Sequence, residues 1–134
     1  LRGVEVGGDV VPRAIDEFPV WAVAAAVASG PSRLTDAAEL RLKESDRIGG
    51  LARQLARVGV VLEPADDGFV VPGSQRIRGG VADSLGDHRL AMALAVAGLA
   101  SQEGITVTNP ECVNVSFPGF EALLNERSGR GHGE

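Results

Sequence analysis

The chain has 134 residues, of which 44% are hydrophobic and 23% are charged, and its net charge is −5. This balance predicts a globular unit with its own core and argues against a disordered chain. The acidic charge argues against sequence-independent binding to nucleic acid, which requires a broad basic surface. A small anionic ligand is still compatible with the sequence, because a few local cations are enough to hold one.

The cysteine content and the apolar runs exclude further classes of protein. Cys112 is the only cysteine, so no disulfide can form within the chain and no cysteine cluster can hold zinc. The longest apolar run, residues 18–28, is shorter than the roughly 20 residues that cross a bilayer. We therefore expect a protein of the reducing cytoplasm without a membrane partner. The start at Leu1 suggests an excised piece, and residues 128–134, which lack apolar side chains, are expected to form a disordered tail.

Two parts of the sequence resemble each other at an offset of 73 residues. Residues 22–24 align with 95–97, both Ala-Val-Ala, and residues 34–36 align with 107–109. The alignment continues with Leu40, Leu42 and Leu51 placed over Val113, Val115 and Leu124. We favour a structural repeat over the alternative that two alanine-rich helices resemble each other by chance.

The first unit is predicted to begin with a helix over residues 17–29, with Asp16 as its N-cap and Pro19 in its first turn. A strand follows near residues 33–35. A second helix follows and ends at Gly59. Its apolar face is formed by Ile48, Leu51, Leu55 and Val58. Between the two units, short strands at residues 60–62 and 69–71 flank a turn, and Gly79-Gly80 separates two more at residues 75–77 and 81–82.

The second unit is predicted to follow the same order. Residues 90–101 form a helix behind Asp87, and residues 105–108 form a strand. A closing helix is expected from Phe120, Leu123 and Leu124, behind Ser116 and Pro118. The result is a mixed α/β layer arrangement in which both alanine-rich helices are buried, because they have little polar face.

Polar residues collect near the starts of these helices, in the clusters 13–17, 41–47 and 86–89. Free backbone N–H groups and the helix dipole favour anions at such positions. In the repeat, Asp16 and Arg89 occupy equivalent positions, so both are expected at one edge of the layers. The pattern predicts an anion site at that edge.

The cluster 41–47 has two interpretations. On a helix, Lys43 and Arg47 lie four residues apart on one side, where two cations suit a phosphate or a carboxylate, and Glu44 could carry a proton. The alternative, which spacing alone favours, is a solvated helix start whose charge pairs each contribute a few tenths of a kcal/mol.

The remaining single residues are weaker signals when they are taken alone. His88 is the only histidine before the expected tail, and a lone histidine at a helix start is more often a capping or packing residue than a catalytic one. Asp16 is likewise more often an N-cap than a base. No metal is expected, because His88 has no histidine or cysteine partner at ligand spacing. Walker loops, dinucleotide fingerprints and nucleophile elbows are absent from the sequence.

The clusters resemble a known family in order and spacing. Residues 15–19, 39–47, 86–92 and 116–118 are similar to motifs in the C-terminal portion of the 5-enolpyruvylshikimate-3-phosphate synthases, and the match covers nearly all of residues 1–127. The resemblance implies an enzyme of two similar domains, each with three βαβαββ units around buried helices and with the active site between the domains. Residues 1–127 would be part of the C-terminal domain.

The resemblance also implies the reaction. The enolpyruvyl group of phosphoenolpyruvate would be transferred to the 5-hydroxyl of shikimate 3-phosphate, with release of phosphate through a tetrahedral intermediate and without a metal or organic cofactor. The missing N-terminal part of the same enzyme would supply the other wall of the cleft. The isolated chain is therefore expected to be inactive.

The family motifs assign a role to each residue that matches them. Asp16 would hold the shikimate hydroxyls and act as base, Lys43 would contact that substrate and shuttle its proton, and Glu44 would protonate the methylene carbon of phosphoenolpyruvate. Arg47 and Arg89 would clamp the carboxylate and the phosphate. His88 would lie next to the phosphoenolpyruvate site and assist electrostatically.

One position departs from the pattern of some family members. They carry a lysine shortly before the final Ser/Thr-Phe-Pro motif, as a ligand of phosphoenolpyruvate, where this chain has Val115. Two rival functions are the sister enzyme that attaches enolpyruvate to a UDP-aminosugar and a noncatalytic anion-binding domain of the same fold. The sister enzyme would be expected to carry Leu-Arg in place of His88-Arg89, so the sequence favours the shikimate enzyme.

Overall fold

The computed structural model describes residues 2–43 and 45–108. Within these residues, the strands and α-helices follow in the order β1 (Glu5–Val6), α1 (Val10–Ala14), α2 (Phe18–Val27), β2 (Ser32–Leu34), α3 (Arg47–Arg57), β3 (Glu63–Ala65), β4 (Gly68–Val71), β5 (Gly80–Asp83), α4 (His88–Ala100) and β6 (Ile105–Thr108). Short 3-10 helices cover Ile15–Glu17 and Ala38–Leu42.

The first unit is a sheet with helices in its crossovers. In the described part of the chain its strands lie in the order β1-β2-β4-β3. Strands β1 and β2 are parallel, and β4 is antiparallel to both β2 and β3. When the consecutive segments α1 and α2 are taken as one helical stretch, the order along the chain is β-α-β-α-β-β. This is the predicted repeating unit.

The second unit repeats the first half of this pattern. Parallel strands β5 and β6 are joined by α4, as β1 and β2 are joined by α1 and α2. At the offset of 73 residues, α2 falls within α4 and β2 falls within β6. The first half of the predicted repeat is therefore confirmed. The expected closing helix with Phe120, the motif at residues 116–118 and the tail at 128–134 lie outside the described residues.

Helices α2 and α4 pack against each other at the centre of the described structure. Alanines make up much of the contact, with Ala22, Ala26, Ala93 and Ala97 fully buried. The prediction that these helices are buried holds for one face of each. The opposite faces keep exposed apolar side chains, among them Val27 and Leu99.

Helix α3 has the predicted buried face and the predicted end. Gly59 follows its last turn with a φ of 91°, a backbone conformation that favours glycine. The predicted strand at residues 60–62 is wrong, because β3 begins only at Glu63. At Val61 the side-chain amide of Gln75 takes the place of a strand partner, since it accepts from the Val61 N–H at 2.8 Å and donates to the Val61 carbonyl at 2.9 Å.

The predicted strand at residues 75–77 is also wrong. The backbone N–H of Gln75 donates to the carbonyl of Ala26, and the carbonyl of Ile77 accepts from the N–H of Gln102. These hydrogen bonds connect the segment to the ends of α2 and α4, so no strand ladder forms. Across the described ranges 2–43 and 45–108, no helix has both the length and the apolar character required to span a membrane.

We expect Gly68→Ala to destabilise the fold. A Cβ at Gly68 would overlap the carbonyl oxygen of Leu34, where β2 and β4 pair. This backbone atom cannot move without disturbing the pairing, so we expect a loss of about 1–3 kcal/mol in the free energy of unfolding, measured by urea titration.

Gly98→Ala in α4 is the matched control, because a Cβ there meets nothing closer than 3.5 Å. Alanine favours the helix, so the free energy of unfolding should be unchanged or rise by up to about 1 kcal/mol. Equal losses in the two variants would contradict the close approach of β2 and β4 at Gly68.

Candidate functional site

A buried arginine connects the starts of separate helical segments. Arg47 is the first residue of α3 and is 2% exposed. Its Nε donates to Oδ2 of Asp87 at 2.8 Å and its Nη2 donates to Oδ1 of the same carboxylate at 3.1 Å. Its Nη1 donates to Oδ1 of Asp16 at 3.0 Å. The guanidinium therefore joins the starts of α3 and α4 to the 3-10 helix Ile15–Glu17.

Asp87 is the most enclosed carboxylate of this network, with 1% of its side chain exposed. The hydroxyl of Ser45 donates to its Oδ2 at 2.8 Å, and the backbone N–H of Arg89 donates to its Oδ1 at 2.9 Å. Burial by itself acts to raise the pKa of Asp87, but the hydrogen bonds from Arg47 and Ser45 and the charge of Arg47 outweigh burial and hold the pKa below its ordinary value. Asp87 is therefore a carboxylate anion that also caps α4.

Lys43 reaches the same network by a route that the sequence did not predict. It follows the 3-10 helix Ala38–Leu42 with an extended backbone, and α3 begins only at Arg47. The helical spacing proposed for Lys43 and Arg47 is therefore wrong. The two cations meet because both approach Asp16, whose Oδ1 lies 3.7 Å from Nζ of Lys43. Oε2 of Glu39 also lies 3.4 Å from Nζ of Lys43.

Two predictions of a purely structural role, for the cluster 41–47 and for Asp16, are also wrong. The cluster at residues 41–47 is not a solvated helix start, because Arg47 is almost fully buried. Asp16 is not the N-cap of α2, since Glu17 occupies that position and no side chain caps the helix. The carboxylate of Asp16 instead contacts Lys43 and Arg47, with 44% of its side chain exposed.

Arg89 and His88 lie in the first turn of α4, next to Asp87. The Nη1 of Arg89 lies 3.5 Å from Oε2 of Glu17, the neighbour of Asp16, and 31% of the Arg89 side chain is exposed. Helix starts from both units therefore meet at one edge, as predicted. Glu44 lies outside the described residues.

The charged groups of this edge differ in how readily an incoming anion could reach them. Arg47 is buried and its ion pairs are short, at 2.8 and 3.0 Å, whereas Lys43 and Arg89 are 23% and 31% exposed and their carboxylate partners lie at 3.4–3.7 Å. Partly exposed pairs of this length contribute little to stability, so an anionic ligand can compete for them. The arrangement is suited to binding an anion, with Lys43 and Arg89 at its accessible side.

Sequence reasoning placed Asp87 and Ser45 in the polar clusters but gave neither residue a role. It did not predict that the side chain of Asp87 is the main partner of Arg47. A buried arginine requires a carboxylate partner, but the sequence did not indicate that Arg47 is buried. In the described residues, no group of three or more His, Cys, Asp or Glu side chains could hold a metal ion.

Comparison with known proteins identifies relatives over nearly the whole chain. The family model of EPSP synthase (3-phosphoshikimate 1-carboxyvinyltransferase) matches residues 2–124. A 3-phosphoshikimate 1-carboxyvinyltransferase of Geobacter sulfurreducens is 52% identical over 94% of this chain, and one of Pelotomaculum thermopropionicum is 52% identical over 92%. The chain spans 29% of the length of each of these relatives.

Solved structures show the same relationship. The EPSP synthase of Acinetobacter baumannii is 43% identical, with a TM-score of 0.88 over 96% of this chain and 30% of its own. The enolpyruvyl transferase NikO of Streptomyces tendae is 21% identical, with a TM-score of 0.70 over 94% of this chain and 28% of its own. The latter likeness shows the fold alone, and together the two confirm the predicted α/β fold class.

We expect Arg47→Met to destabilise the chain strongly. The change would leave the buried carboxylate of Asp87 without its main partner, and breaking a buried ion pair in this way costs on the order of 3–5 kcal/mol. The control is Arg89→Met, which removes a partly exposed cation and should cost less than about 1 kcal/mol. Both changes can be measured by urea unfolding. Similar losses would contradict the central place of Arg47.

Proposed function

Because this chain belongs to the EPSP synthase family, we propose that it forms part of an enzyme that transfers the enolpyruvyl group of phosphoenolpyruvate to the 5-hydroxyl of shikimate 3-phosphate. The observation that carries the proposal is the convergence of Asp16, Lys43, Arg47 and Arg89 at one edge of the fold. The chain spans about 30% of the length of its relatives, so the remaining part of the enzyme is the partner that completes the site.

Asp16 and Lys43 are proposed to handle the hydroxyl that attacks. The carboxylate of Asp16 is 44% exposed and can accept the hydroxyl proton, and Lys43 lies 3.7 Å from the same carboxylate oxygen. A base must lie within hydrogen-bonding reach of the proton that it removes, and a second polar group beside it can pass that proton on. These two side chains therefore support the role of a base and its proton shuttle.

Glu44 is proposed as the acid that protonates the methylene carbon of phosphoenolpyruvate. Protonation makes the neighbouring carbon electrophilic, so the shikimate hydroxyl oxygen can add to it and form the tetrahedral intermediate. Loss of a proton from the new methyl group and departure of phosphate then restore the enolpyruvyl double bond. The motif 39–47 supports this role for Glu44.

Arg47, Arg89 and His88 are proposed to bind the carboxylate and phosphate groups of the substrates. The guanidinium of Arg47 uses Nε and Nη2 for Asp87, so a substrate anion would approach its Nη1 edge, which Asp16 also contacts. Arg89 is more accessible and can turn from Glu17 to a ligand. Fixed cations stabilise developing negative charge without reorganisation during the reaction, which supports these roles.

The domain organisation and the location follow from the same proposal. Residues 1–127 would belong to the C-terminal domain of the enzyme, an assignment supported by the complete β-α-β-α-β-β unit and by the family match. The single cysteine supports a location in the reducing cytoplasm. The names of the relatives at 52% identity favour the shikimate enzyme over its aminosugar counterpart.

The proposal can be tested with a chimera in which residues 2–124 replace the matching segment of the Geobacter sulfurreducens relative. Phosphate release is measured with phosphoenolpyruvate and shikimate 3-phosphate, and the unaltered relative serves as the positive control. We expect turnover by the chimera and none by the isolated chain, because a cleft requires both walls. A folded chimera that binds both substrates without releasing phosphate would support the noncatalytic anion-binding alternative.

We expect Arg89→Ala in the active chimera to weaken the binding of phosphoenolpyruvate. Loss of one charge-assisted hydrogen bond of about 1.5–3 kcal/mol corresponds to an increase of roughly 10- to 150-fold in Kd. Arg57→Ala is the matched control, because Arg57 is exposed at the opposite end of α3 from Arg47. Unchanged affinity in Arg89→Ala, measured by calorimetry, would remove Arg89 from the site.

A further inference from the structure

The reaction outlined above gives no role to Asp87, although this carboxylate accepts from the Arg47 guanidinium, the Ser45 hydroxyl and the backbone N–H of Arg89. We propose that Asp87 is a positioning residue that orients Arg47 and the first turn of α4 together, so that Arg47 and Arg89 face the same anion. The identity of that anion as phosphoenolpyruvate rests on the function proposed above.

The contact with Arg47 fixes the plane of the guanidinium. Nε and Nη2 donate to the two oxygens of Asp87 at 2.8 and 3.1 Å, so the two planar groups meet along paired edges. Such bidentate pairs are stronger and more directional than single hydrogen bonds. Ser45 donates to Oδ2 at 2.8 Å and restrains the carboxylate from a second side. The direction of Nη1 toward Asp16 is therefore set by Asp87.

The same carboxylate also sets the start of α4. Its Oδ1 accepts from the backbone N–H of Arg89 at 2.9 Å, and the Asp87 carbonyl accepts from the N–H of Ala91 at 3.0 Å. These bonds determine where the helix begins and from where the Arg89 side chain leaves the backbone. A change at Asp87 should therefore displace both arginines.

Stabilisation of the fold alone is the alternative role for Asp87, and it predicts no selective effect on the binding of one substrate. The ion pair between Arg47 and Asp87 connects the start of α3 to the start of α4. The lowered pKa of Asp87 keeps the carboxylate charged at neutral pH, as the bidentate contact requires.

Asp46 provides a natural control within the chain. It is also a helix N-cap, with Oδ1 accepting from the N–H groups of Ile48 and Gly49 at 3.1 and 3.0 Å. It also pairs with an arginine, Arg41, at 2.8 Å. That arginine also donates to the carbonyl groups of Ala65, the last residue of β3, and Asp66, in the turn that follows it.

The test compares Asp87→Asn with Asp46→Asn in the active chimera. Asparagine keeps the helix cap and almost the same volume but removes the charge and one acceptor. We expect Asp87→Asn to raise KM for phosphoenolpyruvate on the order of 10- to 100-fold, with a much smaller change in KM for shikimate 3-phosphate. Asp46→Asn should lower the Tm and leave both KM values within about twofold of the parent.

Unchanged KM for phosphoenolpyruvate in a folded Asp87→Asn chimera would overturn the inference, as would an equal rise in Asp46→Asn. If Asp87→Asn does not fold, Ser45→Ala removes one donor to Asp87 and keeps the charge. A rise of about two- to tenfold in the same KM is then expected, and no rise would overturn the inference.

A measurement on the chain itself separates this inference from the proposed function. In ¹⁵N-labelled protein, the Nε–H proton of Arg47 should exchange slowly in the parent and in Asp46→Asn, and quickly in Asp87→Asn. Fast exchange in the parent would overturn the positioning role even if the chimera is active. Slow exchange with an inactive parent chimera would retain the positioning role and count against the proposed reaction.

Discussion

A guanidinium that is removed from water requires carboxylate partners, and Arg47 has two of them on different segments of the chain. Asp87 comes from the second repeat unit, whereas Asp16 and Arg47 come from the first. The ion pairs therefore hold the two units at a fixed spacing as well as holding the arginine. Everything that we infer about the site depends on this arrangement, because it brings three separate segments to one edge.

The fold makes the convergence possible. In each unit a helix connects two parallel strands, so the helix starts lie at the same end of the layers. Alanine-rich α2 and α4 pack directly on each other, which brings the starts of these segments close together. The repeat found in the sequence is thus the reason that residues 73 positions apart, Asp16 and Arg89, reach one site.

The sequence predicted the elements that depend on local patterns and missed those that depend on partners. The face of α3 and its end at Gly59 were correct because apolar spacing and a glycine of positive φ are local signals. The strands expected at 60–62 and 75–77 failed because the side chain of Gln75 and the carbonyl of Ala26 take their hydrogen bonds. The pairing of Asp87 with Arg47 was missed for the same reason, since the burial of Arg47 is a tertiary property.

The cations of the site differ in burial and in how tightly they are paired, and this difference explains how an acidic chain can bind anions. Arg47 is held by the buried carboxylate of Asp87 and by Asp16 and serves as a fixed element, whereas the side chains of Lys43 and Arg89 are themselves partly exposed. Glu39 and Glu17, which lie 3.4 Å from Lys43 and 3.5 Å from Arg89, thus occupy positions from which a substrate anion can displace them at small cost. The acidic residues around the site are therefore part of its mechanism, because they hold the cations in place until a ligand with more negative charge arrives.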